Sequence, residues 1–229
     1  MTTGACTLEP AETLSPAAMA GLRRIYEAGF PPRQRASFTA VTSQRQDGDL
    51  ALALTGGGQP CGFAVLSPLG STGWIFLRYF VVDHGRRGQG LGGLLWERLT
   101  AWLRETGFTL LVLDVEDPDE PASGTGQGGA WFRRIRFCQR HGASLLPAAG
   151  YRAPHGAPEA SGWPPMLLIT APLSGSPAAL DASRARGVVD AVYRFRRELE
   201  PGDFPLFGLP ADDPARWQRT PATSNDGHG

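Results

Sequence analysis

The chain has 229 residues, of which 22 are basic and 22 acidic, so its formal net charge is zero. This balance provides no broad electrostatic attraction for nucleic acid or for an anionic membrane, and neither partner is expected. Its three cysteines and four histidines do not stand at the intervals typical of zinc sites, and no apolar stretch is long enough to span a membrane.

The first half of the chain predicts two helices followed by three strands. Ser15 is suited to cap a helix, Pro16 to its first turn and Gly29 to its end, so a helix is predicted over residues 15–28. A shorter helix is predicted over residues 35–42. Three apolar runs bounded by turn residues predict the strands of an antiparallel meander, at residues 50–54, 62–66 and 74–82.

The second half begins with a change to helical spacing of leucines, which predicts a helix over residues 91–104. A strand is predicted at residues 108–115, and the strand–helix–strand order implies a right-handed crossover between parallel neighbours. Residues 117–129 are rich in glycine, proline and acids, and a mobile loop is expected there. The remaining predicted elements are a helix over residues 130–141, a strand over residues 166–171 and a long helix over residues 178–199.

Together these elements predict one α/β domain with a C-terminal helical extension. We place the domain over residues 1–175 and the extension over residues 176–229, with a proline-rich and partly disordered tail from residue 201. The extension is also a candidate surface for a homodimer. With no signal peptide visible, a cytoplasmic location is expected.

A glycine-rich turn connects the strand ending at Val82 to the helix that follows. Glycines crowd the start of this helix at residues 88–93, and Arg86 and Arg87 precede them. A helix N-terminus presents free N–H groups and the positive end of its dipole, and glycines let a phosphate approach the backbone. The turn therefore predicts pyrophosphate binding, with the arginines adding charge-assisted contacts.

Two classes of ligand fit such a turn. Gly88, Gly90 and Gly93 match the dinucleotide fingerprint of Rossmann proteins, and Asp114 or Glu116 ends the next strand where a ribose-binding acid would stand. In Rossmann proteins, however, the turn follows its strand almost directly. Here five residues, two of them arginines, separate Val82 from Gly88. We therefore rank a dinucleotide below coenzyme A.

The turn resembles the acetyl-CoA motif of the GNAT superfamily of N-acetyltransferases. The pattern Arg/Gln-x-x-Gly-x-Gly/Ala corresponds to residues 87–92, and Val82 ends its strand five residues before the arginine. Residues 136–143 are similar to a second family segment, which lies on the helix after the fifth strand. The resemblance covers residues 15–173 and implies a mixed, mostly antiparallel central sheet flanked by helices, with the fourth and fifth strands splayed around the thioester.

The resemblance also implies contacts with acetyl-CoA. Main-chain atoms at the end of the strand would pair with the pantetheine arm, and the N–H groups of the turn would hold the pyrophosphate. Arg86 or Arg87 would reach phosphate oxygens. The residues implied in this way are Phe80, Val81, Val82, Arg86, Arg87, Gly88, Gln89, Gly90, Leu91, Gly92 and Gly93.

Candidates for catalysis lie beyond the turn. Asp114 and Glu116 stand two apart on one strand, and either could accept the proton of an amine; Glu116 is slightly preferred because it is longer and nearer the strand mouth. Cys138 stands where the family usually has the tyrosine that protonates the leaving thiolate. Tyr151 or His141 could take over that role. The alternative readings are that both acids simply face solvent or bind an arginine, and that Cys138 is a small buried residue on the helix face.

The expected function is transfer of an acetyl group from acetyl-CoA, without a metal, to a primary amine of a small molecule or peptide. The alternative is a CoA-binding sensor or interaction module that has lost catalysis, which the substitution of tyrosine by Cys138 keeps open. A Rossmann dinucleotide-binding protein is the least favoured reading.

Overall fold

The computed structural model describes residues 6–43, 48–117, 130–153, 163–174, 181–205 and 207–209, which form a seven-stranded sheet and five α-helices. The strands are β1 (Cys6–Pro10), β2 (Leu50–Gly56), β3 (Gln59–Pro68), β4 (Trp74–Val82), β5 (Leu110–Glu116), β6 (Ser144–Leu145) and β7 (Met166–Pro172). The helices are α1 (Pro16–Gly29), α2 (Phe38–Thr42), α3 (Leu91–Glu105), α4 (Ala130–Arg140) and α5 (Ala182–Ala191).

The strands lie across the sheet in the order β1-β2-β3-β4-β5-β7-β6. β4 and β5 run parallel, and the other neighbouring strands are antiparallel. Gly57 and Gly58 close the β2–β3 hairpin with φ values of 62° and 73°, because a two-residue hairpin turn needs positive φ at both positions. The mixed, mostly antiparallel sheet with flanking helices confirms the predicted fold class.

The core is divided between the two faces of the sheet, because successive side chains of a strand point to opposite sides. On one face, α3 and α4 pack through Leu99 and Ile135 against the strands. On the opposite face, α1 packs through Leu22 against β3, and α5 packs through Val188 and Val189 against β5 and β7. The sheet is therefore covered on both faces, and α5 belongs to the same core as the strands.

The C-terminal helix changes its winding at its end. Asp181 caps it by accepting a 2.7 Å hydrogen bond from the amide of Arg184, and the α-helix runs to Ala191. The chain then continues as one π-helical turn, Val192–Arg196, a feature often found at functional sites. Shortly after it, Glu198 adopts φ 56°, an uncommon value for a residue other than glycine.

Several boundaries differ from those predicted from sequence. The second helix begins only at Phe38, because Ser37 caps it by accepting a hydrogen bond from the amide of Ala40. The strands β1 and β6 were not predicted, since both are short edge strands defined by their partners in the sheet. Most of the loop expected at 117–129, residues 178–180 of the long helix and most of the tail lie outside the described residues. The domain boundary at residue 175 stays a prediction.

Candidate active site

The strands β4 and β5 separate after a short parallel pairing. They pair only from Trp74 to Phe76 on β4, whereas β5 remains paired with β7 as far as Glu116. Just beyond Phe76, a β-bulge leaves Arg78 as an extra residue in β4 relative to β3. Because a bulge bends its strand, β4 turns away from β5, and a cavity of 670 Å³ opens between them.

One side of this cavity, toward α3 and α4, is apolar and aromatic. Phe80 lies 6.0 Å from Trp96 and 5.8 Å from Phe137, measured between ring centroids, and Trp96 lies 5.7 Å from Phe137. Cys138 lies next to Phe137 on α4 and also lines the cavity. This wall suits an uncharged chain or thioester and offers few polar groups.

The other side of the cavity, toward α1 and α5, carries a buried ion pair. A guanidinium nitrogen of Arg197 lies 2.6 Å from Oδ2 of Asp114, and only 8% and 12% of the two side chains are exposed. The hydroxyl of Tyr151 donates to the same oxygen at 3.1 Å. Asp114 and Arg197 line the cavity, while Tyr151 lies behind them in the core.

The pKa values of these groups follow from burial and charge. Burial raises the pKa of Tyr151 well above its usual value, and the neighbouring Asp114 carboxylate raises it further. Burial alone would lower the pKa of Arg197, but Asp114 and Tyr151 raise it above the ordinary value. At neutral pH, Tyr151 is therefore a neutral donor and Arg197 a fixed cation, both directed at Asp114.

Further arginines line this polar side. Arg78, the bulge residue, forms a buried ion pair with Asp49. Arg196, from the π-helical turn, places its guanidinium carbon 5.6 Å from the centre of the Phe76 ring. Arg35 donates to the carbonyl oxygens of Glu27 and Phe30, at 2.9 and 2.6 Å, and so stabilises the end of α1. The polar side is therefore rich in cations.

Cys138 is a buried thiol, with 3% of its surface exposed. Its burial raises its pKa to about 11, so that the group is protonated at neutral pH. It borders the apolar side of the cavity. Its role as a proton donor stays a prediction.

Glu116 lies apart from the other candidates. Its carboxylate is 3.4 Å from the guanidinium of Arg134 on α4, and it is not among the residues that line the cavity. Asp114 lies deeper in β5 and does line it. The structure thus brings Asp114, Cys138 and, through Asp114, Tyr151 to the splayed strands, and leaves Glu116 at the rim.

The glycine turn combines left-handed backbone positions with open space beside them. Asp83 accepts a hydrogen bond from the amide of Gly85 at 3.1 Å and begins a 3-10 turn, which accounts for the five residues between strand and glycines. Gly88 and Gly90 both have φ 77°, and a Cβ at either position would meet nothing within 4 Å. Gly90 is the N-cap of α3, and no side chain of the described residues caps the helix there.

A second cavity of 550 Å³ lies at this turn. Its lining includes Arg86, Arg87 and several of the predicted cofactor residues, but not Gln89. Phe137 and Arg140 of α4, and His141 directly after this helix, also line it. The lining residues from the turn are Val82, Arg86, Arg87, Gly88, Gly90, Leu91, Gly92 and Gly93.

The two later glycines have a different role from the first two. A Cβ on Gly92 would lie 3.5 Å from the ring of Phe137, and one on Gly93 would lie 3.4 Å from Nε2 of His141. The absence of side chains at these positions lets α4 pack closely beside α3. The close packing brings Arg140 to the cavity at the turn.

The end of β4 connects the two cavities. Phe80 borders the cavity between the strands and Val82 borders that at the turn, while Val81 points to the opposite face, against Gly29 of α1. Phe137 lines both cavities. The edge of β4 beyond Phe76 is not paired with β5, so its main-chain groups are available to a ligand lying along it.

Sequence reasoning missed Arg78, Arg196, Arg197 and Arg140. The one usable signal was Arg78, a charged residue inside an otherwise apolar strand, which marks a bulge or an inward-facing charge. The adjacent pair Arg196 and Arg197 carries no local sign that it returns to the sheet. Only the packing of α5 brings it there.

A sheet that splays after a parallel β4–β5 pair, with a glycine turn at the start of the next helix, defines an acyl-CoA transferase type of fold. The sequence matches the model of the acetyltransferase (GNAT) family over residues 19–142, more than half of the chain. The chain therefore belongs to the GNAT family. No curated protein is similar enough in sequence to be matched.

Solved structures agree with this assignment at the level of fold. One, described as an acetyltransferase of the GNAT family from Bacteroides thetaiotaomicron, is 20% identical, covers 84% of this chain and 99% of its own, and has a TM-score of 0.61. A GNAT-family protein from Desulfovibrio desulfuricans is 20% identical and covers 74% and 100% of the chains, with a TM-score of 0.55. An aminoglycoside 6'-N-acetyltransferase complexed with coenzyme A is 18% identical and covers 74% and 98%, with a TM-score of 0.54.

Neither a metal-binding cluster nor a membrane-spanning helix is present in the described residues. Among them, no three or more histidine, cysteine and acidic side chains cluster in a way that could hold a metal ion. None of the helices in the described part of the chain has the length and apolar character needed to cross a membrane.

Proposed function

We propose that the protein transfers an acetyl group from acetyl-CoA to a primary amine. The observation that carries this proposal is the line of two adjoining cavities along β4, one at the glycine turn and one between the splayed strands, with Phe137 common to both. A pyrophosphate at the turn and a thioester between the strands would be joined by a pantetheine arm lying along the free edge of β4.

The residues at the turn fit the cosubstrate. The space beside Gly88 and Gly90 is open, so a phosphate can approach the backbone there, and Arg86, Arg87 and Arg140 supply positive charge around it. Phosphates carry the negative charge that such a site favours. The aromatic wall of the other cavity suits the uncharged arm and the acetyl group.

Asp114 is the group we assign to the acceptor amine. Both of its hydrogen bonds, from Arg197 and Tyr151, go to Oδ2, and none of the described residues donates to Oδ1. Oδ1 can therefore accept a hydrogen bond from the amine, and can take its proton directly or through water. The nitrogen then bonds to the thioester carbon, the carbon–sulfur bond breaks, and the sulfur leaves as thiol after gaining a proton.

Polarisation of the thioester carbonyl requires hydrogen-bond donors at its oxygen. The main-chain N–H groups on the edge of β4 that β5 does not pair with are the nearest preorganised donors. Cys138 borders the same space as a protonated thiol and is the candidate to return a proton to sulfur. Tyr151 is assigned to hold Asp114, since its hydroxyl already donates to that carboxylate.

Release of free CoA from acetyl-CoA, measured across a panel of primary amines, tests the proposal, alongside calorimetric binding of acetyl-CoA. Amine-dependent release supports it. Binding without release on any amine would instead favour the second candidate, a CoA-binding sensor, for which the buried thiol of Cys138 in place of a hydroxyl is the supporting observation. Absence of acetyl-CoA binding would contradict both.

A further inference from the structure

The residues around the cavity carry a small excess of positive charge. Five arginines line the cavity, against the lining carboxylates of Asp114 and Glu198 and the carboxylates of Asp49 and Glu116, which pair with Arg78 and Arg134. Those arginines are Arg35, Arg78, Arg134, Arg196 and Arg197. A site that bound only a cationic amine would be expected to carry an excess of negative charge.

Arg196 stands out among these arginines. Arg197 pairs with Asp114 and Arg134 with Glu116, but no carboxylate of a described residue lies within 4.0 Å of Arg196. Its Nε atom is buried and has no hydrogen-bond partner among the described residues. A buried donor left without an acceptor costs roughly 1–3 kcal/mol, and native proteins seldom leave one unexplained.

Arg78 repeats this pattern from the neighbouring strand. One nitrogen of its guanidinium pairs with Asp49, and 8% of the side chain is exposed. Its Nε atom, however, is buried and lacks an acceptor in the described part of the chain. Two buried donors on separate elements, both lining one cavity, indicate that the acceptor atoms come from a ligand.

The electrostatic environment of Arg196 agrees with an absent anion. Burial, together with the positive charges of Arg197 and Arg78, lowers its pKa to about 10. The group remains a cation at neutral pH, but one that lacks compensation. A bound anion would remove this deficit.

The backbone holds Arg196 firmly at the apex of the splayed strands. The π-helical turn presents Arg196 and Arg197 together to Phe76, with guanidinium carbons 5.6 and 5.7 Å from the ring centre. Phe76 is the last residue of β4 that pairs with β5. The arginine without a carboxylate therefore lies beside the one that holds Asp114.

We propose that the acceptor is a small amine that also bears a carboxylate, as in a free amino acid, and that Arg196, assisted by Arg78, binds this carboxylate. The inference rests on the proposed acetyl transfer. An amine at Oδ1 of Asp114 and a carboxylate at Arg196 would occupy adjacent positions, which fits a molecule whose two groups are a few bonds apart. Guanidinium donors match the two oxygens of a carboxylate better than an ammonium would.

The test compares each of the common amino acids with its carboxamide, using CoA release as the readout. For the wild-type protein, we expect kcat/KM to be at least about tenfold higher for the best acid than for its amide, the loss of about one charge-assisted contact. In Arg196→Gln this preference should fall to within about twofold, with the dissociation constant of acetyl-CoA unchanged. Arg196→Lys should retain part of the preference.

Arg194→Gln is the matched control, because Arg194 lies in the same turn but is exposed and does not line the cavity. It should behave as wild type. Circular dichroism and melting temperature establish that each variant is folded. Aminoalkylphosphonates provide a further arm, and turnover of these in preference to the amino acids would overturn the assignment of a carboxylate.

The two proposals fail in different ways. Equal turnover of acids and amides by the wild type overturns the carboxylate site and leaves acetyl transfer standing. Acetyl-CoA binding without turnover of any amine contradicts acetyl transfer, and the carboxylate site is then tested by calorimetry with the same acids and amides. Tighter binding of the acids than of the amides, lost in Arg196→Gln, would support the carboxylate site. The absence of such a preference would overturn the carboxylate site.

Discussion

Arg197, eighty-three residues beyond Asp114 in the chain, donates to Oδ2 of that aspartate at 2.6 Å inside the cavity wall. This contact joins the C-terminal helical segment to the central sheet and fixes the orientation of a carboxylate beside the splayed strands. Because the pair is buried, removing either residue alone is costly, since the remaining charge loses the counter-charge of the pair.

The ion pair predicts an asymmetric effect on stability. We expect Asp114→Ala to lower the free energy of unfolding by about 3–5 kcal/mol, since Arg197 is then buried without its counter-charge. Replacing both residues, as in Asp114→Leu with Arg197→Met, should cost much less than the sum of the single changes. Urea denaturation of the wild type, the two single variants and the double variant measures the coupling energy between Asp114 and Arg197. Strictly additive losses in the free energy of unfolding would contradict this coupling.

Measurements of activity should distinguish the roles of Asp114 and Glu116, the two acids at the end of β5. Asp114→Asn removes the base but keeps the shape of the side chain, and we expect kcat/KM for the amine to fall by at least about a hundredfold. Glu116→Gln is the matched control on the same strand and should change it less than about threefold, because Glu116 does not line the cavity. Initial rates of CoA release decide the matter. A larger loss in the Glu116 variant would transfer the role of base to that residue.

The turn predicts a graded effect at Gly90. This residue has φ 77°, which asparagine tolerates and a β-branched residue does not. We expect Gly90→Val to raise the dissociation constant of acetyl-CoA by at least about tenfold, or ~1.4 kcal/mol, and Gly90→Asn by less. Calorimetric titration measures both. Unchanged affinity in a folded valine variant would refute phosphate binding at this turn.

The buried thiol of Cys138 predicts a dependence of stability on alkaline pH. Its pKa in the folded protein is about 11, above the usual value of 9.0, so the thiol loses its proton at lower pH in the unfolded protein than in the folded one. The stabilisation is full below pH 9 and is lost as the pH rises toward 11. Over this range wild type should lose on the order of 2 kcal/mol more than Cys138→Ala. Melting curves of both proteins at matched pH values measure this loss. Equal changes of stability with pH in the two proteins would contradict the prediction.

The glycine turn and the order of the elements were predictable from sequence because both depend on local interactions. Ser15 caps α1 as predicted, and its hydroxyl accepts from the amide of Ala18 at 3.3 Å. The turn at Gly88 and Gly90 requires positive φ, which glycine alone adopts without cost. Such features are determined within a few residues along the chain.

The acceptor side of the cavity depends instead on contacts between distant segments. Arg78 enters the cavity because of a bulge that exists only through the pairing of β4 with β3. Arg196 and Arg197 come from a helix that sequence analysis treated as an extension, and Arg197 reaches Asp114 because α5 packs on β5 and β7. No periodicity or motif encodes a contact between residues more than eighty positions apart.

The sequence by itself thus determined the class of fold and the turn proposed for the cosubstrate, since caps, glycines and apolar periodicity act locally. Only the tertiary structure decided which acid lines the cavity, which acid lies outside the cavity lining, and which arginines surround the cavity. The reason is physical: burial and charge pairing are properties of the packed chain, and they select among candidates that look alike in sequence.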